Sequence, residues 1–271
     1  IKNAKEYIYI EYYIFKTDEL GRELISLLNQ KLKEGVEVRI LVDAVGSRSI
    51  RKRHFIEFKR LGGEVDSFFP LFFSKFTTRF NYRNHRKIVV IDGKIAYSGG
   101  FNVGNEYINN DKKFGFWRDT HFRLEGDIVE EYLRRFNFDY RFATKIKTKG
   151  EYYKDHDIKT LSRMQLVTSG PDSMYESIKN VYLKMISSAK NRLWIQSPYF
   201  VPDESIFEAV RIAALSGVDV RIMIPDKPDH FSVYWATQSY VGQLLEDGVK
   251  VYEYGKGFLH AKQVVKDDDI C

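Results

Sequence analysis

The sequence predicts an α/β fold of two similar lobes, each with a mixed, mostly parallel sheet flanked by helices. Strand-like and helix-like stretches alternate in the order βαβαβ, and this order occurs twice. The two copies lie 182 to 185 residues apart over most of their alignment. The 271 residues are enough for two coupled domains, and 44% hydrophobic with 30% charged residues is typical of folded proteins. We therefore expect two lobes related by an approximate two-fold axis.

Each copy begins with an apolar run that is typical of a buried strand, residues 7–15 in the first and 193–200 in the second. An amphipathic helix follows, because apolar residues recur every three or four positions over residues 18–34 and 203–216. Each helix ends at a glycine, which allows the left-handed backbone conformation at a helix terminus, and a new strand then begins. The glycines that close the two helices of each copy are Gly35 and Gly63 in the first and Gly217 and Gly248 in the second.

The last strand of each copy carries the pattern His-x-Lys-x4-Asp. On a strand, residues two positions apart point to the same face, so the histidine and the lysine of each copy are predicted to share a side. One such triplet is a weak signal, whereas two at matching places of a repeat indicate a shared chemistry. The triplets are His85, Lys87 and Asp92 in the first copy and His260, Lys262 and Asp267 in the second, and Asn102 follows the first in a Gly-Gly-Phe-Asn segment.

The paired motif suits reaction at a phosphodiester. One neutral imidazole can attack phosphorus and form a phosphohistidine, and the other, protonated, can donate to the leaving alcohol oxygen. Histidine's pKa of about 6.5 makes both states accessible at neutral pH. Lys87, Lys262 and the amide of Asn102 would stabilise charge on the non-bridging oxygens, so we expect neither a metal nor another cofactor. The single cysteine, Cys271, excludes an internal disulfide and a cysteine metal site.

The motifs and their flanks resemble bacterial cardiolipin synthases of the phospholipase D superfamily. The resemblance extends over the whole chain, and the segments that carry it are residues 84–94, 99–104, 117–121, 169–173, 197–203 and 257–262. It implies two phospholipase D-like lobes that condense two phosphatidylglycerol molecules into cardiolipin and glycerol. It also implies an anionic phospholipid substrate at a membrane surface, on the cytoplasmic side of the bacterial cell membrane. Neither a nucleic acid nor an obligate protein partner is expected.

The resemblance implies a role for each motif residue. His85 becomes the nucleophile, and His260 protonates the leaving glycerol and then deprotonates the primary hydroxyl of the second lipid; the opposite order is also compatible with the sequence. Asp119 lies some thirty positions after the first motif histidine, where the superfamily has the acid that orients the nucleophile, and Glu106 is an alternative. Asp92 and Asp267, included in the catalytic set as motif acids, are expected to brace the turn after each motif strand.

Residues 1–150 are predicted to form the first lobe, 151–163 a polar linker and 164–271 the second lobe. Relatives continue past this point into further strands and an acid that pairs with the second histidine. We therefore expect a chain truncated at both ends, in which the second lobe is incomplete and His260 lacks its orienting acid. No run of 18 apolar residues, as a membrane-spanning helix would need, occurs in the sequence.

Two other functions fit part of the sequence. Residues 1–150 carry 29 lysines and arginines against 20 acidic residues, whereas residues 151–271 carry 14 against 17. A basic lobe indicates an anionic partner, so a phospholipase D-type phosphodiesterase or nuclease is one alternative. An inactive lipid-binding fragment is the other. The cardiolipin-synthase-like flanks and the aromatic segment at residues 68–76 favour a lipid substrate over DNA.

Overall fold

The computed structural model of the protein describes residues 1–69, 82–109, 114–153, 162–170, 173–227 and 229–271. These residues form two compact units. The first contains Ile1–Ile108 and His121–Leu166, and the second contains Asn109–Thr120 and Val167–Cys271. The segment Asn109–Thr120 thus belongs to the second unit, which the predicted boundaries, with a linker at 151–163, did not anticipate. Residues 70–76 of the aromatic segment lie outside the described residues.

The secondary structure alternates as the sequence predicts. In chain order, the strands are β1 (Tyr7–Tyr12), β2 (Glu37–Asp43), β3 (Glu64–Phe68), β4 (Ile88–Ile91), β5 (Ile95–Gly99), β6 (Phe116–Arg118), β7 (His121–Glu125), β8 (Arg192–Gln196), β9 (Asp219–Pro225), β10 (Lys250–Tyr254), β11 (Gly257–Leu259) and β12 (Gln263–Lys266). The α-helices are α1 (Glu19–Lys33), α2 (Ile56–Arg60), α3 (Ile128–Thr144), α4 (Ser177–Ser187), α5 (Glu204–Leu215) and α6 (Phe231–Glu246). None of the helices in the described ranges combines the length and the apolar composition that crossing a membrane requires.

The first unit is built on a mixed sheet with the strand order β3-β2-β1-β4-β5-β7. Strands β1, β2 and β3 pair in parallel, whereas β4 pairs antiparallel with β1 and starts an antiparallel run through β5 to β7. Alternate residues of β1 face opposite sides, so Ile8 and Ile10 pack in a core with α1 and α2, and Tyr7 and Tyr9 pack in a core with α3. Helices therefore cover both faces of this sheet.

The second unit repeats the start of this arrangement. Its sheet has the order β10-β9-β8-β12, with β12 antiparallel to β8 and the other pairs parallel, which matches β3-β2-β1-β4. Its core joins Leu193 and Ile222 of the sheet to Val210 of α5 and Leu244 of α6. Strands β6 and β11 form a separate parallel pair. The predicted α/β class with mixed sheets flanked by helices is confirmed, although antiparallel pairing is more extensive in the first unit than the sequence indicated.

Helices α1 and α5, which follow the first strand of each copy of the repeat, lie within the predicted ranges and end at the predicted glycines. Asp18 caps α1 and Asp203 caps α5, and in both cases the side-chain carboxylate accepts a backbone N–H of the first turn, at 3.1 and 2.9 Å. Gly35 and Gly217 follow these helices with φ of +86° and +88°, the left-handed conformation that glycine adopts without a steric cost. The two copies therefore make the same crossover from their first strand to their second.

Candidate active site

The histidine and the lysine of each motif make the same local contact in both units. Nζ of Lys87 donates to the carbonyl oxygen of His85 at 2.8 Å, and Nζ of Lys262 donates to the carbonyl oxygen of His260 at 2.7 Å. In each unit the lysine side chain folds back over the peptide of the histidine two positions earlier. The repeat in the sequence thus becomes a repeat in side-chain geometry.

His85 lies just before β4 and is exposed to solvent. Nζ of Lys87 lies 2.9 Å from its Nδ1, and the ring centroid of Tyr13 lies 4.4 Å from that of the imidazole. Lys87 is itself buried, so its ammonium group is held beside an imidazole that a substrate can reach. An ammonium group in this position can stabilise negative charge that develops next to the imidazole.

His260 is buried and paired with a carboxylate. Its Nδ1 lies 2.7 Å from Oδ2 of Asp119, and Oδ1 of that residue accepts the backbone N–H of Thr120 at 2.8 Å. The ring of Trp117 packs against the imidazole, with 5.0 Å between the centroids. A carboxylate on Nδ1 keeps the proton there and leaves Nε2 for proton exchange with a substrate.

This pairing corrects two expectations. Asp119 was expected to orient His85, and His260 was expected to lack an orienting acid, yet the carboxylate of Asp119 contacts His260. The reason is the pairing of β6 with β11, which places the residues after β6 beside those after β11. The backbone N–H of His260 also donates to the carbonyl oxygen of Arg118, at 2.8 Å, and fixes the two segments to each other.

Lys262 has an altered acidity. Although the residue as a whole is exposed, the protein atoms around its ammonium group lower its pKa to about 8, mainly through desolvation. The carboxylates of Asp119 and Asp229 act in the opposite direction and raise the pKa. The charge of this lysine therefore depends on two nearby acids and changes within an accessible pH range.

Asp92 and Asp267 stand at equivalent turns and bind backbone amides. The carboxylate of Asp92 accepts the N–H groups of Lys5, Glu6 and Tyr7 at 2.8 to 2.9 Å. The carboxylate of Asp267 accepts the N–H groups of residues 190, 191 and 192, the closest at 2.8 Å. Both aspartates have positive φ, +52° and +47°. Asp92 thus fixes the start of β1, and Asp267 the start of β8, to the turn after the motif strand, which is the bracing contact expected for them.

Asn102 and Glu106 are both buried and engaged in the first unit. Oδ1 of Asn102 accepts the backbone N–H of Ile14 at 3.1 Å, which ties the Gly-Gly-Phe-Asn segment to the residues after β1. Glu106, the alternative candidate for orienting the nucleophile, forms an ion pair with Lys16 at 2.5 Å.

A sequence profile described as "Cardiolipin synthase, PLD-like domain" matches residues 1–139 and 182–271. The chain belongs to this family. It is 53% identical over 274 residues to the major cardiolipin synthase ClsA of Bacillus subtilis, and 50% identical to a cardiolipin synthase of Listeria monocytogenes. Each alignment covers 100% of this chain and 57% of the relative, so the chain spans little more than half the length of these proteins.

Two solved structures share the fold of this chain. Phosphatidylserine synthase of Haemophilus influenzae superposes with a TM-score of 0.70 at 16% identity, covering 98% of this chain and 72% of that one. Polyphosphate kinase of Porphyromonas gingivalis gives a TM-score of 0.56 at 15% identity, covering 96% of this chain and 38% of that one. At these identities the likeness shows the shared fold alone.

A buried polar cluster that the sequence motifs did not predict lies next to His85. Asn84 donates from Nδ2 to Oε1 of Glu11 at 2.5 Å, and its backbone N–H donates to Oδ2 of Asp43 at 3.0 Å. Asp139 of α3 lies in the same cluster. One signal was present in the sequence, because Glu11 interrupts an otherwise apolar strand, and a charged side chain at such a position needs a partner.

Proposed function

We propose that this chain is a phosphatidyltransferase that condenses two phosphatidylglycerol molecules into cardiolipin and glycerol. The observation that carries the proposal is the Asp119–His260 pair, 2.7 Å apart, in a chain whose two units each hold a histidine beneath a folded-back lysine. A histidine with a carboxylate on Nδ1 is built for acid and base catalysis, since the carboxylate stabilises the imidazolium that forms. The family membership and the 50 to 53% identity to cardiolipin synthases support the same reaction.

The first half of the proposed reaction transfers the phosphatidyl group to the protein. A ring nitrogen of His85 attacks phosphorus and forms a P–N bond, and the bond from phosphorus to the glycerol oxygen breaks. Nε2 of His260 gives its proton to that oxygen, so glycerol leaves as a neutral alcohol. The ammonium groups of Lys87 and Lys262 stabilise the negative charge on the non-bridging oxygens.

The second half regenerates both histidines. Nε2 of His260, now without its proton, accepts the proton of the primary hydroxyl of a second phosphatidylglycerol. The oxygen of that hydroxyl attacks phosphorus while the P–N bond breaks, which yields cardiolipin and free His85. Water in place of the lipid hydroxyl would give phosphatidic acid. The two half-reactions as proposed use no metal ion or organic cofactor.

We propose a membrane surface as the place of reaction, on the cytoplasmic side of the bacterial cell membrane, because both substrates are membrane lipids. The basic charge of residues 1–150 supports an anionic headgroup as the ligand. The same charge would also suit DNA, so a nuclease assay belongs in the test.

The test is incubation of the chain with phosphatidylglycerol in mixed micelles with a chelator present, followed by mass spectrometry of the lipids. Cardiolipin and free glycerol are the expected products, and both should be absent with a His85→Ala chain. Phosphatidic acid alone would show histidine chemistry with water as the acceptor. Cleavage of DNA without lipid turnover would replace the proposal with a nuclease. Binding to anionic vesicles without any turnover would replace it with a lipid-binding role.

A further inference from the structure

Glu11 is a buried acid with one satisfied oxygen. It lies near the end of β1, is 1% exposed, and accepts the Asn84 amide at Oε1. Its other oxygen, Oε2, is fully buried, and no N–H or O–H donor among the described residues reaches it. The carboxyl group of Asp139, itself 1% exposed on α3, is a hydrogen-bonding neighbour of the Glu11 carboxyl group. Two carboxyl groups in contact away from water can form a hydrogen bond only if one of them carries a proton.

The surroundings decide which acid holds the proton. Asp139 accepts a hydrogen bond from Nε of Arg135 at 2.8 Å and a second one from its Nη2, and Nη1 of Arg86 lies 3.5 Å from it. These two guanidinium groups supply Asp139 with charge-assisted hydrogen bonds and a second positive neighbour. Burial, and next the charge of Asp139, raise the pKa of Glu11 well above its usual range, while Asn84 and Arg86 oppose this more weakly. The proton therefore belongs on Glu11.

The repeat offers an independent comparison. Glu11 is opposite Ile88 in the antiparallel pairing of β1 with β4, and Gln196 is opposite Gln263 in the pairing of β8 with β12. Ile88 and Gln263 each follow their motif lysine by one position, so Glu11 and Gln196 occupy the same place in the two copies. Glutamine has the shape of a protonated glutamate and is neutral at every pH. The second copy thus always has a neutral side chain at this position, which is the state that the geometry indicates for Glu11 in the first copy.

The acid is connected to the proposed nucleophile. Asn84, which holds Oε1 of Glu11, directly precedes His85, and its Oδ1 accepts the backbone N–H of Arg86 at 3.1 Å. Its own backbone N–H is held by Asp43 of β2. The side chain of Asn84 therefore fixes the peptide on the far side of His85 as well as the contact with β1. Any change in the charge of Glu11 acts on this turn.

We propose that Glu11 is a neutral carboxylic acid that donates a hydrogen bond to Asp139 and positions His85 through Asn84. The groups that face this pair are Asn84 and Arg86 before β4, Arg135 on α3 and, through the backbone of Asn84, Asp43 on β2. Glu11 is a positioning residue rather than a catalytic one. Its effect on turnover rests on the proposed function, whereas its protonation does not.

The test compares Glu11→Gln with Glu11→Ala. Glutamine can accept from Asn84 with its oxygen and donate to Asp139 with its nitrogen, so we expect kcat to stay within about threefold of wild type. Alanine leaves Asn84 and Asp139 without this partner, and we expect kcat to fall about 10- to 100-fold with a smaller change in KM, since the nucleophile is misplaced rather than removed. A Glu11→Gln chain as impaired as Glu11→Ala would overturn the proposal, because it would show that the ionised form is required.

Two readouts need no turnover and keep the proposal separate from the proposed function. The infrared difference spectrum between wild type and Glu11→Gln at neutral pH should show the C=O stretch of a protonated carboxylic acid; carboxylate bands alone would overturn the proposal even if cardiolipin is made.

In wild type, the folded chain keeps a proton that the unfolded chain loses above the usual glutamate pKa, so the free energy of unfolding falls as the pH rises through that value. Glu11→Gln should reduce this slope, and an unchanged slope would count against the proposal.

Discussion

Nδ1 of His260 lies 2.7 Å from Oδ2 of Asp119, a residue 141 positions earlier in the chain. Both groups are buried, and the indole of Trp117 covers the imidazole and directs its N–H towards the same carboxylate oxygen at 3.4 Å. The carboxylate thus has a fixed direction and the imidazole a fixed tautomer. The proton transfer proposed for His260 would therefore need little reorganisation of these groups.

Replacing Asp119 by asparagine should remove the carboxylate that fixes the tautomer of His260 while keeping the size of the side chain. The amide nitrogen would face Nδ1 and favour the wrong tautomer, so we expect kcat for cardiolipin formation to fall about 10²- to 10⁴-fold with little change in KM. Steady-state kinetics with phosphatidylglycerol micelles measures both constants. The matched control is Glu253→Gln, the same change of a carboxylate to an amide on the exposed face of β10. A kcat equal to wild type in Asp119→Asn would show that His260 does not depend on this carboxylate.

The pKa of Lys262, lowered to about 8, predicts a loss of activity in mildly alkaline solution. Above this pH the ammonium group gives up its proton, and in the proposed reaction it would no longer stabilise a phosphoryl oxygen. Because Asp229 raises this pKa, Asp229→Asn should move the alkaline limb of the pH profile to lower pH. The measurement is kcat/KM against pH for wild type and variant. Lys262→Arg is the control, because its guanidinium stays charged, and its residual activity should have no limb near pH 8.

Much of the fold was predictable because its signals are local. The aspartates that cap α1 and α5 and the glycines after these helices act within one turn, and the repeated motif places each lysine over its histidine. The partner of Asp119 was not predictable from the spacing that suggested His85. It depends on the pairing of β6 with β11, two strands of three residues each, which are too short to leave a periodic pattern. The protonated state proposed for Glu11 likewise depends on Asp139, which a helix distant in sequence supplies.

Asp92, in the turn after β4, should contribute to the stability of the fold rather than to catalysis. Asp92→Ala leaves the three N–H groups at the start of the first strand without their carboxylate, so we expect a loss of about 1–3 kcal/mol in the free energy of unfolding. Urea unfolding followed by circular dichroism measures it. In the folded fraction kcat should stay close to wild type, because the carboxylate is directed at the backbone. A large loss of kcat without a loss of stability would instead place Asp92 in the chemistry.

Gln196 and Glu11 occupy the same position of the repeat. The substitution Gln196→Glu, the reverse of Glu11→Gln, therefore tests whether this position must be neutral in both units. Gln196→Glu puts a carboxyl group where Oε1 of the glutamine is buried and, within the described part of the chain, accepts no hydrogen bond. Burial raises the pKa of such a group, so the folded chain either takes up a proton or holds an unpaired charge, and stability falls above the usual glutamate pKa of about 4.3. We expect a loss of about 1–3 kcal/mol in the free energy of unfolding at neutral pH, and this loss should disappear as the solution is acidified below that value.

Gln196→Met is the matched control, neutral and similar in size, whose effect should not depend on pH. A pH-independent loss in Gln196→Glu would show that the second copy tolerates the charge, and that the neutral state at this position is not a shared requirement of the two units.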